Sequence, residues 1–173
     1  MISQIFTILL VVSATFAKQV VVQNKANSIL QVSVTGQDDI TLLPKTIVNL
    51  ELDSTWSGSI SACNDVCDGP RSSAVLNLGT DQDQYAVSLV DGFNLPIKVI
   101  PINSKGCNAA VCGANINKLC PAENQVVNSL GVVRACKNSP LLFQSLCPKA
   151  VVTLGDQLDV QTCNALSYKV ILG

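Results

Sequence analysis

Eight cysteines and not one histidine decide which chemistry is open to this chain. The cysteines stand at positions 63, 67, 107, 112, 120, 136, 147 and 163. An even set in an oxidising compartment reads as four disulfides. With no imidazole, neither a Ser-His-Asp nor a Cys-His relay can be assembled within the chain. Zinc is disfavoured as well, because the spacings form no paired C-x-x-C knuckles and the nitrogen ligands are missing. No metal and no cofactor is expected. The 11 basic and 12 acidic residues give a net charge of −1 and no basic stripe, which argues against nucleic acid as a partner. A nearly neutral chain without a basic amphipathic helix also gives no reason to expect action on membranes.

The first seventeen residues carry no charged side chain and pass through an apolar run, Ile5 to Val12, into Ser13-Ala14-Thr15-Phe16-Ala17. The run is too short to span a bilayer, and Thr15 and Ala17 suit the −3 and −1 positions of a cleavage site. Residues 1–17 are therefore expected to be a secretory signal, although the leading segment lacks the usual Lys or Arg. Removing 17 of 173 residues leaves 156, enough for one domain with a real core. All eight cysteines follow the cleavage point, so export would place them where they oxidise.

The residues that follow supply the scaffold. From Val20 to Ile102, short runs of Val, Ile, Leu and Thr are separated by turn formers, the pattern of an antiparallel β-sandwich. Strands are predicted at Val20 to Asn24, Leu30 to Val34, Ile47 to Leu52, Ser57 to Ala62, Ala74 to Leu78, Tyr85 to Val90 and Ile97 to Ile100. In Ile47 to Leu52, Val48, Leu50 and Leu52 form one face against Asn49 and Glu51 on the other. Between Cys107 and Cys147 five cysteines crowd among Asn, Ala, Pro and Gly, which reads as a loop-rich stapled lobe. Ala114 to Leu119 suits one or two helical turns, stopped by Cys120-Pro121. Strand character returns at Val151 to Leu154 and Ser167 to Leu172.

Motifs in fixed order carry a resemblance. QYAVSLVDGFNLPIKVIP at Gln84 to Pro101 is followed by Gly106-Cys107, Val111-Cys112 and ANINKLCP at Ala114 to Pro121. VVRACKNSP at Val132 to Pro140, LCPKA at Leu146 to Ala150, Thr162-Cys163 and Tyr168-Lys169-Val170 come after, and WSGSISAC at Trp56 to Cys63 precedes them. Together these resemble the signature of the thaumatin family, and in particular its small members, from about Val22 onward. The resemblance implies an all-β, thaumatin-like sandwich over residues 18–173 with a reduced cysteine-rich lobe at about 107–147. It also implies the pairs Cys63–Cys67, Cys107–Cys163, Cys112–Cys147 and Cys120–Cys136, one connectivity out of 105. Full-length members tie the first strand to the last through a further pair, whose positions here correspond to Ala26 and Gly173. Between Cys136 and Cys147 only ten residues replace a long helix-bearing excursion.

Larger relatives line an interlobe groove with an Arg and four carboxylates, credited with binding β-1,3-glucan and sometimes hydrolysing it. Hydrolysis needs two suitably spaced carboxylates. The resemblance places the Arg position at Ser59, the Glu at Val75 and the first Asp at Ala86, while Asp91 is retained and Asp156 matches the last. Asp91, Asp156 and Phe93 are thus the candidate ligand-binding residues, and no catalytic set is expected. Asp91 before Gly92 also reads as a turn carboxylate, and Trp56 and Phe93 as core aromatics. The expected activity is that of a secreted, monomeric defence-type protein binding a cell-wall glycan or microbial surface. One alternative is a proteinaceous inhibitor of glycoside hydrolases such as xylanase, presenting the Asp65 to Ser73 and Gly79 to Gln84 loops; another is a weak endo-β-1,3-glucanase.

Overall fold

The computed structural model describes residues 17–64 and 66–173. The signal segment expected at residues 1–17 lies outside the described residues except for Ala17, which opens the first strand. Thirteen strands and one α-helix are present among the described residues: β1 Ala17–Asn24, β2 Leu30–Val34, β3 Ile40–Leu42, β4 Ile47–Asp53, β5 Ser57–Cys63, β6 Ser73–Asn77, β7 Asp83–Ser88, β8 Ile97–Ile102, β9 Ala110–Cys112, β10 Gln125–Val127, β11 Val133–Cys136, α1 Pro140–Leu146, β12 Gln161–Cys163 and β13 Ser167–Leu172.

Two sheets face each other. One runs β4-β1-β13-β8-β9 and the other β12-β7-β6-β5-β2-β3, with β10-β11 as a separate hairpin. Period-two alternation builds the space between them. Val20 and Val22 of β1, Leu50 and Leu52 of β4, and Tyr168, Val170 and Leu172 of β13 are buried. So are Val32 of β2, Ile60 of β5, Leu76 of β6 and Val87 of β7 on the other sheet. The face expected for Ile47 to Leu52 is the observed one, Leu50 and Leu52 buried and Val48 half-buried.

Three features depart from the sequence expectation. The antiparallel sandwich contains one parallel strand pair, β1 with β13, registering Val20 with Tyr168 and Val22 with Val170. Val151 to Leu154 is not a strand: Val151 alone forms a bridge, to Ser88. Gly155 at φ 81° then turns the chain, and the exposed Leu154 finds no sheet to pack on. The third is α1, in a stretch read as loop. Pro140 occupies its first turn, where the ring's fixed φ suits a helix start and its missing N–H is no loss. The helix buries Phe143. The helical turn expected at Ala114 to Leu119 is a short 3-10 segment, Ile116–Lys118.

All eight cysteines are paired, as Cys63–Cys67, Cys107–Cys163, Cys112–Cys147 and Cys120–Cys136. Cys107–Cys163 fastens the segment before β9 to β12, Cys112–Cys147 fastens β9 to the end of α1, and Cys120–Cys136 fastens the stretch just after the 3-10 segment to β11.

Candidate functional site

The outward faces of β5, β6 and β7 are made of small side chains. Ala74 and Leu76 turn inward from β6, and Tyr85 and Val87 from β7. Alternation therefore sends Ser59, Ser61, Ser73, Val75, Ala86 and Ser88 the other way. Strand register then sets Ser59 opposite Val75, and Val75 opposite Ala86. The three positions singled out in sequence as neutral replacements thus form one row across three strands. Serine, valine and alanine on adjacent rungs offer no acid to protonate a leaving group and no base opposite one.

Beyond the row, the chain after β7 turns sharply at Asp91-Gly92. Gly92 has φ 109°, and a Cβ there would stand 2.5 Å from Pro70 Cβ and 2.6 Å from the Cys136 carbonyl oxygen. Only glycine fits both the conformation and the approach. Its amide donates to the Leu89 carbonyl at 2.9 Å, and Phe93 and Cys136 exchange backbone hydrogen bonds at 2.8 and 2.7 Å. This double clasp fixes the turn to the stapled lobe and leaves the Asp91 side chain exposed.

Asp156 comes from the 151–160 loop. Its Oδ1 accepts from the Leu158 amide at 3.0 Å, a local turn bond that orients the carboxylate. The loop is anchored by Leu89 N–H to Val151 carbonyl and Val151 N–H to Val87 carbonyl, at 2.8 and 2.9 Å. It bends over the outer face, where Ala86 keeps 4% of its surface exposed.

Asp91 and Asp156 line one depression of about 320 Å³, walled by Val75, Ala86, Val90 and Val160. Asp91 also borders a neighbouring depression of about 280 Å³, lined by Ser59, Ser61, Gly69, Arg71 and Ser73. The two meet at Asp91 to form one shallow groove containing every position that the resemblance assigned to the charged set. Phe93 is not part of it: the ring has no exposed surface and belongs to the core, because the backbone clasp with Cys136 turns it inward. The other rings among the described residues line neither depression. Tyr85, Tyr168 and Phe143 are buried, and Trp56 is half-buried with its indole N–H donating to the Thr35 carbonyl at 3.3 Å.

Sequence reasoning passed over Arg71. Its guanidinium donates to Ser33 Oγ at 3.4 Å and to the Cys67 carbonyl. The Cys63–Cys67 bridge closes the loop presenting that carbonyl, so the smallest disulfide seats the one cation of the groove among its described lining residues. The available signal was an arginine four residues beyond the second cysteine of a tight loop, one of only two arginines in the chain.

A family model described as "Thaumatin family" matches residues 57–172, from the first residue of β5 to the last residue of β13. The chain belongs to the thaumatin family. "Thaumatin-like protein 1" from Pyrus pyrifolia is 52% identical over 89 residues, covering 49% of this chain and 36% of that protein. "Pathogenesis-related thaumatin-like protein 3.5" from Cryptomeria japonica is 33% identical over 165 residues, covering 80% of this chain and 67% of its own length. "Glucan endo-1,3-beta-glucosidase" from Prunus avium is 41% identical over 105 residues, 59% of this chain and 42% of that protein. The match thus spans about a third to two-thirds of these relatives' lengths. The thaumatin-like fold recurs in the solved structure of the thaumatin-like xylanase inhibitor TLXI, with TM-score 0.50 and 12% identity, covering 88% of this chain and 97% of the other. The protein elicitor MoHrip2 from Magnaporthe oryzae aligns with TM-score 0.52 and 10% identity, covering 90% and 98%.

Proposed function

We propose that this thaumatin-family chain is exported by its first seventeen residues and that residues 18–173 act as a binding domain, not a catalyst, holding an extracellular glycan in the groove at Asp91. One observation carries the reading: two carboxylates and Arg71 surround a cross-strand row, Ser59, Val75 and Ala86, that is wholly uncharged. Carboxylates and guanidinium can hydrogen-bond sugar hydroxyls, while glycoside hydrolysis requires an acid and a base facing one bond. The name of the Prunus avium relative makes β-1,3-glucan the first ligand to try.

The test is retention of the oxidised protein on insoluble β-1,3-glucan, with reducing-end release followed in parallel. Retention without release is expected. Asp91→Asn combined with Asp156→Asn should weaken retention about tenfold, equivalent to roughly 1.4 kcal/mol. A native protein that washes through removes the glycan reading, and release abolished by Asp91→Asn would show a glucanase.

A second reading rests on the 151–160 loop, where Leu154 and Leu158 are 88% and 94% exposed beside the groove. Apolar groups presented on an anchored loop suit a protein partner. The solved relative named as a xylanase inhibitor suggests a glycoside hydrolase. Loss of xylanase activity on adding this protein, relieved by Leu154→Asp with Leu158→Asp, would establish it.

A further inference from the structure

Strand register builds a second row on the outer face, beside the uncharged one. Ser33 of β2 pairs with Ser61 of β5, Ser61 with Ser73 of β6, and Ser73 with Ser88 of β7. Their neighbours along each strand, Val32, Val34, Ile60, Ala62, Ala74 and Val87, are buried in the core. Alternation therefore turns all four serines outward. They form a ladder of hydroxyls that crosses the strands, with rungs about 4.8 Å apart. Arg71 closes one end by donating to Ser33 Oγ at 3.4 Å. The other three rungs line the groove, Ser61 and Ser73 in one depression and Ser88 in the other.

One rung points to a ligand. Ser61 is only 9% exposed, yet its hydroxyl makes no hydrogen bond to another described residue and opens on the depression it lines. A polar group held nine-tenths buried without a partner calls for one from outside. The Ser73 hydroxyl is likewise unpartnered among the described residues. Ser88 Oγ accepts from the Val90 amide at 3.4 Å, which leaves its own proton to donate. No aromatic ring among the described residues lines either depression, so a pyranose face has nothing to stack on. A sugar must be met here at its hydroxyl edge.

We infer that the glycan of this groove is an extended β-1,4-linked glucan lying across the strands along the serine ladder. This linkage adds to the groove's reading as a glycan site and rests on it. A β-1,4-linked chain is a flat ribbon whose rings succeed one another at close to the strand spacing. Along each edge of the ribbon, the C2 and C3 hydroxyls of one ring alternate with the C6 hydroxyl of the next. Successive rings thus offer a hydroxyl to Ser61, Ser73 and Ser88 in turn, with Asp91 as an acceptor where the two depressions meet. A β-1,3-linked chain curls away from a straight row of rungs. A xylan is extended but lacks the C6 hydroxyl, so every second ring passes its rung without a bond.

The oxidised, isotope-labelled protein is titrated with the hexasaccharides of β-1,4-glucan, β-1,3-glucan and β-1,4-xylan while its amide resonances are followed. Saturable shifts are expected at Ser61, Ser73 and Ser88 together, with the β-1,4-glucan bound about tenfold more tightly than either of the others, as two extra hydrogen bonds would give. Ser61→Ala with Ser73→Ala removes two hydroxyls and no apolar contact; with its native amide spectrum retained, it should erase that preference. Ser88→Ala alone, at a half-buried rung, should reduce it about threefold. Equal or tighter binding of either competing sugar, or a preference that survives both variants, would overturn the inference while leaving the groove a glycan site. Resonances that move with none of the three sugars would overturn it together with the glycan reading.

Discussion

Asp83 is the one carboxylate with no exposed surface among the described residues, and what surrounds it shows how single groups decide stability here. Lys18 Nζ lies 2.6 Å from both of its oxygens, Tyr168 Oη donates at 2.7 Å, and the Gly79 amide donates at 3.0 Å. Removing one partner of a buried pair leaves an uncompensated charge. Lys18→Met should therefore cost about 3 kcal/mol or more, read as a fall in the denaturant midpoint. Burial, and then the bond to Asp83, push the Tyr168 phenol well above its ordinary range, and burial raises Tyr85 in the same direction. A raised folded-state pKa means that the native protein keeps protons that the unfolded chain gives up. The contribution is complete below the unfolded phenol's pKa near 10 and is lost as pH climbs beyond it. Melting temperature should thus fall steeply above about pH 10, and less steeply in Tyr168→Phe, when rapid melts are compared from pH 8 to 11.5. None of this could be read from the sequence, where Asp83 sits among the polar residues of a loop-like run. The fate of Asp91 was partly legible: its turn was written in Asp-Gly, but that its carboxylate would border both depressions required the fold.

At the scale of elements, alternation carried the reading where strands face a core and failed where elements are too short to show a period. β2 and β13 stand where periodicity put them, and β4 and β5 end one residue beyond. The strands β3, β9, β10 and β12 are three residues each, too short for a period of two to register. Helix α1 is only two turns long, with Phe143 in the core and Leu142 and Leu146 packed against it, too short a stretch for a helical period to stand out, so its signal lay in Ser139-Pro140 and the neighbouring cysteines. Register was equally hidden: the sequence marks Ser59, Val75 and Ala86 as outward-facing, but only strand pairing aligns them into a row. Cys112–Cys147 spans 35 residues and secures α1 to β9. Replacing both cysteines with alanine should cost roughly 4 kcal/mol in the loop-entropy picture. Hydrogen exchange should then show α1 opening more readily while β6 and β7 keep their protection.

For the molecule as a whole, the missing fifth crosslink is instructive. Gly173 has φ 89°, and a Cβ placed on it would stand 2.9 Å from Ala26 Cβ. Disulfides place their Cβ atoms about 3.8 Å apart, so the two positions are close enough to bridge after a small outward shift. Ala26→Cys with Gly173→Cys should oxidise spontaneously and raise the unfolding free energy by roughly 3 kcal/mol. That figure is the loop-entropy gain less the strain of a side chain at positive φ, and a comparison of melts with and without reductant would check it. Sequence comparison could identify the two positions as corresponding, but only the pairing of β1 with β13 shows them touching.

That pairing has a mechanical consequence. Because β1 and β13 run in the same direction, residues 18 and 173 lie at opposite ends of the ribbon the two strands form. Tension applied between those residues would drag the strands lengthwise past each other, loading all six registered residue pairs together instead of unzipping them one at a time. Pulled along that line, the domain should yield at a high force and in a single abrupt event.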